Sequence, residues 1–242
     1  MTVIVVSGTG TEIGKTVTTA AVAALALAAG RSVAMLKPAQ TGVAPGEPGD
    51  AEEVTRLAGD EITTLELARF PEPLAPNTAA RRAGMAQVRP HEVAEAAAKL
   101  AVDHDLVLVE GAGGLLVQYD DEGATLADAA RLLSAPVLVV ASAGLGTLNT
   151  TTLTTEALRA RGLAPLGVTV GSWPASPDLA SRCNLADLPH SAGTPLLGAV
   201  PEGAGSLPRA DFRTGAVTWL GPDLGGTWDA TAFTAQETPP AP

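Results

Sequence analysis

Aromatic side chains are scarce in this chain of 242 residues, 3% of the total, which leaves a hydrophobic core to be assembled from alanine, valine and leucine. Such small side chains favour close packing of helices on a sheet and identify no ligand. Cysteine is nearly absent: the lone Cys183 excludes an internal disulfide, no cysteine–histidine cluster has metal-ligand spacing, and Cys183 reads as a buried or bystander thiol. The three histidines, His91, His104 and His190, stand in helical or loop positions without partners and read as solvated or core-satisfied groups. Basic charge is short too, with Lys and Arg totalling 15 against 26 Asp and Glu, a net charge of −11. That balance excludes the electrostatic footprint of a nucleic-acid surface, and no Lys/Arg run marks a membrane face. Long apolar runs are also missing. The segment 17–29 is shorter than the roughly 20 residues of a membrane span and ends at Gly30-Arg31. Residues 2–7 run straight into a glycine-rich turn with no basic stretch before them, unlike a signal peptide. The expectation is a cytoplasmic protein with no nucleic-acid and no membrane partner.

Apolar residues make up 46% of the chain and charged ones 17%, the balance of a globular protein. One domain over 1–236 is expected, followed by a proline-rich frayed tail at 237–242. A chain of this size buries roughly 70–75% of its unfolded surface, so its core needs no disulfide or structural metal. Short apolar runs alternate with helical stretches, the pattern of a mostly parallel sheet flanked by helices. Strands are expected at 2–7, 32–37, 105–110, 136–141, 164–171 and 195–200, as continuous apolar runs covered on both faces. Helices are expected at 15–29, 50–58, 90–104, 126–133 and 148–161, with Gly30 and Gly162 closing two of them. Residues 39–49 read as a loop, 61–86 as short helices across the sheet, and 207–220 as a further helix.

The stretch Ser7-Gly8-Thr9-Gly10-Thr11-Glu12-Ile13-Gly14-Lys15-Thr16 follows a buried strand and opens a helix. Glycines there let backbone curl around phosphate oxygens, successive N–H groups point inward, and the helix start adds partial positive charge. Lys15 is placed to reach the β- and γ-phosphates and the Thr16 hydroxyl to ligate Mg²⁺. The spacing departs from the usual loop, because Thr9 stands where a glycine is asked for and Gly8 lies one residue further back.

Three further segments stand at strand ends, where ligands of open α/β sheets bind. The second strand leads into Lys37-Pro38-Ala39-Gln40-Thr41-Gly42, the third into Glu110-Gly111-Ala112-Gly113-Gly114, and the fourth into Gly144-Leu145-Gly146-Thr147-Leu148-Asn149. A lysine at the second point can project into the phosphate crevice, and a carboxylate at the third can bind Mg²⁺. The free N–H groups of the last turn can hold an anion such as a carboxylate. Asp50 opens a helix; alone it reads as an N-cap, and beside the other motifs as a Mg²⁺ ligand.

Together these residues resemble the dethiobiotin synthetase family, over about the first 200 residues and in the family's order. Leu74-Ala75-Pro76-Asn77 is similar to a further family segment, with Asn77 where a histidine is common. The resemblance implies a three-layer P-loop fold, a homodimer, Mg²⁺ as cofactor, and an ATP-driven reaction of 7,8-diaminopelargonate with CO₂ or bicarbonate. It implies that Thr16, Asp50 and Glu110 hold Mg²⁺, and that Glu12, Ile13, Gly14, Lys15, Thr16, Val17, Asp50, Glu110, Gly111, Ala112 and Gly113 contact nucleotide. Lys37 is then catalytic with Lys15, and Thr11 and Thr41 contact substrate. The substrate carboxylate falls to Gly144, Leu145, Gly146 and Asn149, across the dimer interface. One departure matters: where several relatives carry an adenine-reading Asn-Asp pair, this chain has Gly171-Ser172. The base is then expected to rest on backbone around Val170-Gly171 and Val200-Pro201-Glu202, with CTP or GTP usable beside ATP.

Three other readings are weaker. A switch ATPase of the deviant P-loop type carries a signature lysine early in the loop, where Gly8 and Thr9 stand, and needs a basic or amphipathic tail. The synthetase domain of a cobyrinic-acid-type amidotransferase needs a glutaminase cysteine. A non-catalytic module leaves Lys37 and the carboxylates without a task.

Overall fold

The computed structural model describes residues 2–237. Its main sheet is parallel throughout, with β1 (Thr2–Gly8), β2 (Val33–Lys37), β4 (Thr63–Glu66), β6 (Leu106–Gly114), β7 (Val137–Ala141), β8 (Pro165–Trp173) and β9 (Leu196–Pro201) in the order β4-β2-β6-β1-β7-β8-β9. A small second sheet pairs β3 (Gln40–Thr41) with β5 (Arg69–Phe70). β1 lies between β6 and β7, so the carboxyl end carrying the glycine-rich loop opens beside Glu110.

Alternate residues of the central strands fill two different core layers, as the period of two in a strand requires. Ile4, Val6, Leu108 and Val140 pack under α1 (Lys15–Ala28), α2 (Asp50–Ala58) and α8 (Arg209–Trp219). Val5, Val107, Val139 and Val168 pack under α3 (Pro76–Ala83), α4 (Pro90–Asp103), α5 (Leu126–Leu133), α6 (Thr147–Ala160) and α7 (Leu179–Ala192). The result is the expected three-layer α/β arrangement. Alanines 20, 21, 23, 24 and 26 of α1 are all buried, which brings that helix, and the loop ahead of it, close to the sheet.

Several expectations need correction. Residues 39–49 contain β3, and 61–86 form β4, β5 and α3 in place of a set of short helices. β4 is a mostly exposed edge strand rich in Thr and Glu, so it carries no apolar run. α7 was not expected; it contains Pro189 and shows little amphipathic period. His104 does have partners: its ring nitrogens lie 2.8 Å from Leu100 O and 2.8 Å from Thr63 Oγ1, tying the end of α4 to β4. Cys183 is exposed on α7. The last helix, α9 (Ala230–Glu237), includes the first residue of the expected tail, and 238–242 lie outside the described residues. Among the described residues no helix is long and apolar enough to cross a membrane.

Candidate active site

The loop between β1 and α1 closes on itself at Gly8. A Cβ there would sit 2.7 Å from Ile13 Cδ1 and 3.0 Å from Lys15 Cδ, so Gly8, not position 9, supplies the tight approach. Thr9 N donates to Val140 O at 2.9 Å and anchors the loop to β7. At the other end of the loop, Gly14 (φ +91°) presses against β8: a Cβ on Gly14 would fall 2.1 Å from Gly171 O, and one on Gly171 would fall 2.1 Å from Ile13 O. Both positions are therefore restricted to glycine by backbone contact in both directions.

A cleft of about 440 Å³ opens above this loop, lined among others by Thr11, Glu12, Gly14, Lys15, Thr16, Val17, Lys37, Thr41, Asp50 and Ala112. Its floor is a charged cluster. Lys37, at the end of β2, is almost fully buried; its Nζ donates to Glu110 Oε1 at 2.9 Å and to Gly111 O at 3.2 Å, and it pairs with Asp50 Oδ2. Glu110 is wholly buried and also accepts from Thr16 Oγ1 at 2.9 Å and Thr19 Oγ1 at 2.6 Å. Lys15 Nζ donates to Gly10 O at 2.8 Å. Burial pushes the Lys37 pKa down, but Glu110 and Asp50 outweigh it and hold the ammonium above its usual range. Lys15 goes the other way: burial and then the Lys37 charge lower its pKa against the opposing pull of Glu110 and Asp50.

Asp50 does not cap its helix. Gly49 is the N-cap, its N–H donating to Glu52 Oε2 at 2.9 Å, while Asp50 N donates to Gln40 Oε1 at 2.9 Å. The Asp50 carboxylate is thereby left to Lys37 and the cleft. Thr16, Asp50 and Glu110 offer only hard oxygen donors, the kind Mg²⁺ takes, and Thr16 Oγ1 already touches Glu110 Oε1. Among the described residues no three His, Cys, Asp or Glu gather as a metal site of their own. The donor set therefore fits a cation that brings phosphate oxygens with it.

The remaining expected residues fall in three places. Ile13, Gly111 and Gly113 do not line the cleft but stand behind residues that do: Gly111 O accepts from Lys37, and a Cβ on Gly113 would be 3.6 Å from Thr11 Oγ1. Val170 and Val200 are fully buried in opposite core layers, so their side chains are not available to a nucleotide. Next to them Glu202 N donates to Trp173 O at 2.7 Å and Ala175 N to Glu202 Oε2 at 3.3 Å, which ties Pro201-Glu202 to the strip that follows Gly171. Gly144, Leu145, Gly146 and Asn149 line no part of this cleft; Leu145 is 92% exposed and Gly146 has φ +93°. Asn77 is buried against Gln118, its Nδ2 donating to Oε1 at 3.2 Å.

Sequence reasoning missed Thr19, Gln40 and Tyr119. Thr19 follows Thr16 by three residues on one helix face, a spacing that was there to be read. Gln40 and Tyr119 accept from backbone groups across a loop, Gln40 from Asp50 N at 2.9 Å and Tyr119 from Ala112 N at 3.2 Å, contacts that follow no helical or strand spacing.

The model of the AAA domain matches residues 2–207. The ATP-dependent dethiobiotin synthetase BioD of Streptomyces avermitilis is 72% identical over 99% of this chain and 100% of its own length, and that of Streptomyces coelicolor 70% identical over 96% and 98%. Among solved structures, a ParA family ATPase from Chlorobium tepidum superposes with a TM-score of 0.56, covering 97% of each chain at 11% identity. That last likeness shows the fold alone; the activity follows from the synthetases. The chain belongs to the family of ATP-dependent dethiobiotin synthetases.

Proposed function

We propose that the cleft over Lys15 and Lys37 joins CO₂ to the two amines of 7,8-diaminopelargonate at the expense of a nucleoside triphosphate, in a homodimer. The reading rests on one observation: two buried lysines and two carboxylates converge above a phosphate loop, with Lys37 Nζ shared between Glu110 and Asp50.

Each step has a task for these groups. One amine nitrogen attacks CO₂, loses a proton, and becomes a carbamate anion. A carbamate oxygen then attacks the γ-phosphorus and the nucleoside diphosphate leaves. The second amine attacks the carbamoyl carbon, the C–O bond breaks, and inorganic phosphate departs from a cyclic urea. Only a neutral amine can begin this, and with Asp50 and Glu110 engaged by Mg²⁺ the positive charge of Lys37 and Lys15 would disfavour a further ammonium nearby. The same two charges stabilise the carbamate and the phosphoryl group in transit. Thr16, Asp50 and Glu110 would hold Mg²⁺, which neutralises phosphate charge when bound. Thr11 and Thr41, lining the cleft with Lys37, would orient the diamine. Gly144, Leu145, Gly146 and Asn149 would hold its carboxylate in the partner's cleft, since they do not line their own. The exposed Leu116, Leu145 and Leu153 on that flank support such a dimer.

At the base end, Gly171 presents no side chain and Glu202 is occupied with Ala175 N, which supports loose base selection. The test is phosphate release with diaminopelargonate, bicarbonate and Mg²⁺, supplying ATP, CTP and GTP in turn. Release that depends on the diamine and proceeds with more than one nucleotide is expected. Release indifferent to the diamine would refute the reaction, and strict ATP dependence would refute the base reading alone.

A further inference from the structure

Asn184 lies in the middle of α7, 6% exposed, far along the chain from the phosphate loop. Its Nδ2 donates to Ala143 O at 2.7 Å and to Gly144 O at 3.0 Å. In a trans peptide the carbonyl of one residue and the N–H of the next point in opposite directions. With the carbonyls of Ala143 and Gly144 drawn inward to Asn184, the N–H groups of Gly144 and Leu145 face away from it. Among the described residues the amides of Gly144, Leu145, Gly146, Leu148 and Asn149 meet no acceptor, and no side chain caps α6. One side of this turn is therefore all donor, because Asn184 holds Ala143 O on the other side and shares Gly144 O there with Thr147 N at 3.2 Å.

We infer that Asn184 is a positioning residue for the carboxylate of the diamine substrate, acting through the backbone of the 143–145 turn. This rests on the reading that the turn receives that carboxylate. Without Asn184, Ala143 O loses its tether and the Ala143–Gly144 peptide plane is free to rotate, while Gly144 O keeps its bond from Thr147 N. Ala143 O turned outward would bring negative partial charge to the place meant for a carboxylate, and the Gly144 N–H donor would be lost with it. The helix carrying Asn184 does not depend on it. Leu185 and Leu188 anchor α7 in the core, Thr152 Oγ1 donates to Ser191 O at 3.1 Å, and Arg159 Nη2 donates to Ala192 O at 2.6 Å.

The test compares 7,8-diaminopelargonate with 2,3-diaminononane, in which a methyl group replaces the carboxylate, on the full-length enzyme with Mg²⁺ and nucleotide. The wild type should favour the acid at least tenfold in kcat/KM. Asn184→Ala should narrow that preference to about threefold or less by raising KM for the acid, leaving nucleotide KM, turnover of 2,3-diaminononane and thermal midpoint near wild type. Asn184→Asp, of the same shape but without N–H donors, should behave likewise. If either variant keeps the full preference, or loses activity on both diamines equally, Asn184 does not position the turn. If the wild type itself handles both diamines alike, the turn is not the carboxylate site, and the inference falls with that reading.

Discussion

Lys37 is held in a way that suits it to stabilise charge and unsuits it to exchange protons. Its ammonium is shared by Glu110 Oε1, Asp50 and Gly111 O, with its pKa raised by the two carboxylates despite burial. A lysine so held stays charged through the whole reaction, so the attacking amine must lose its proton elsewhere. Lys37→Gln is one atom shorter, keeps an N–H donor and removes the charge. Turnover should fall by at least a hundredfold, since a preorganised donor at a developing anion is worth about 2.7–4 kcal/mol. Nucleotide affinity, measured by titration calorimetry, should change by less than about threefold, because Lys15 and the loop amides remain. Turnover near wild type would remove Lys37 from the chemistry. These residues were legible in the sequence because each follows directly on an apolar strand or glycine turn: Lys37 ends β2 and Glu110 is the first charge after Leu106-Val107-Leu108-Val109. Gln40 and Asn184 were not, because they serve backbone groups that only the folded chain brings near.

Between elements, the contact that decides most is that of the phosphate loop with β8. Ile13-Gly14 and Gly171 meet backbone to backbone, and the alanine-rich face of α1 allows the approach. Gly171, standing where the resemblance implies an adenine-reading Asn, thus differs from it in packing as well as in chemistry. Gly171→Asn should not restore adenine reading. Its Cβ would lie 2.1 Å from Ile13 O and 2.5 Å from Val140 Cγ1, so the loop must shift, at a cost on the order of 1–3 kcal/mol of backbone strain. Affinity for ATP, CTP and inorganic tripolyphosphate should all drop roughly tenfold or more, whereas a gain in ATP preference with tripolyphosphate binding intact would contradict the packing account. The central strands showed themselves in the sequence as continuous apolar runs because both of their faces are covered. β4, exposed at the edge, and α7, broken in pattern by Pro189, have no such signature, and only tertiary packing reveals them.

At the scale of the molecule, the two parts of the proposed site stand apart in one chain. The cleft is lined by the phosphate loop, Lys37 and Asp50, whereas the donor turn at 144–149 lines no part of it and carries the exposed Leu145. The surface between them, along Gly8, Thr9, Gly114, Leu116, Thr150 and Leu153, is a groove of small and apolar residues, with Leu116 44% and Leu153 57% exposed. A second copy laid on this groove would cover those leucines and bring its own turn toward the first chain's diamine. Leu153→Arg places a charge in the middle of that contact without touching either half of the site. Sedimentation should then show a monomer. The monomer should bind nucleotide as the wild type does, since the phosphate loop, Lys37 and Asp50 all belong to one chain, but kcat/KM for 7,8-diaminopelargonate should fall at least tenfold while that for 2,3-diaminononane changes far less, because on the proposed reading only the acid uses the partner's turn. A monomeric variant that kept its preference for the acid would mean that each chain completes its own site, and the turn at 144–149 would have to be given another role.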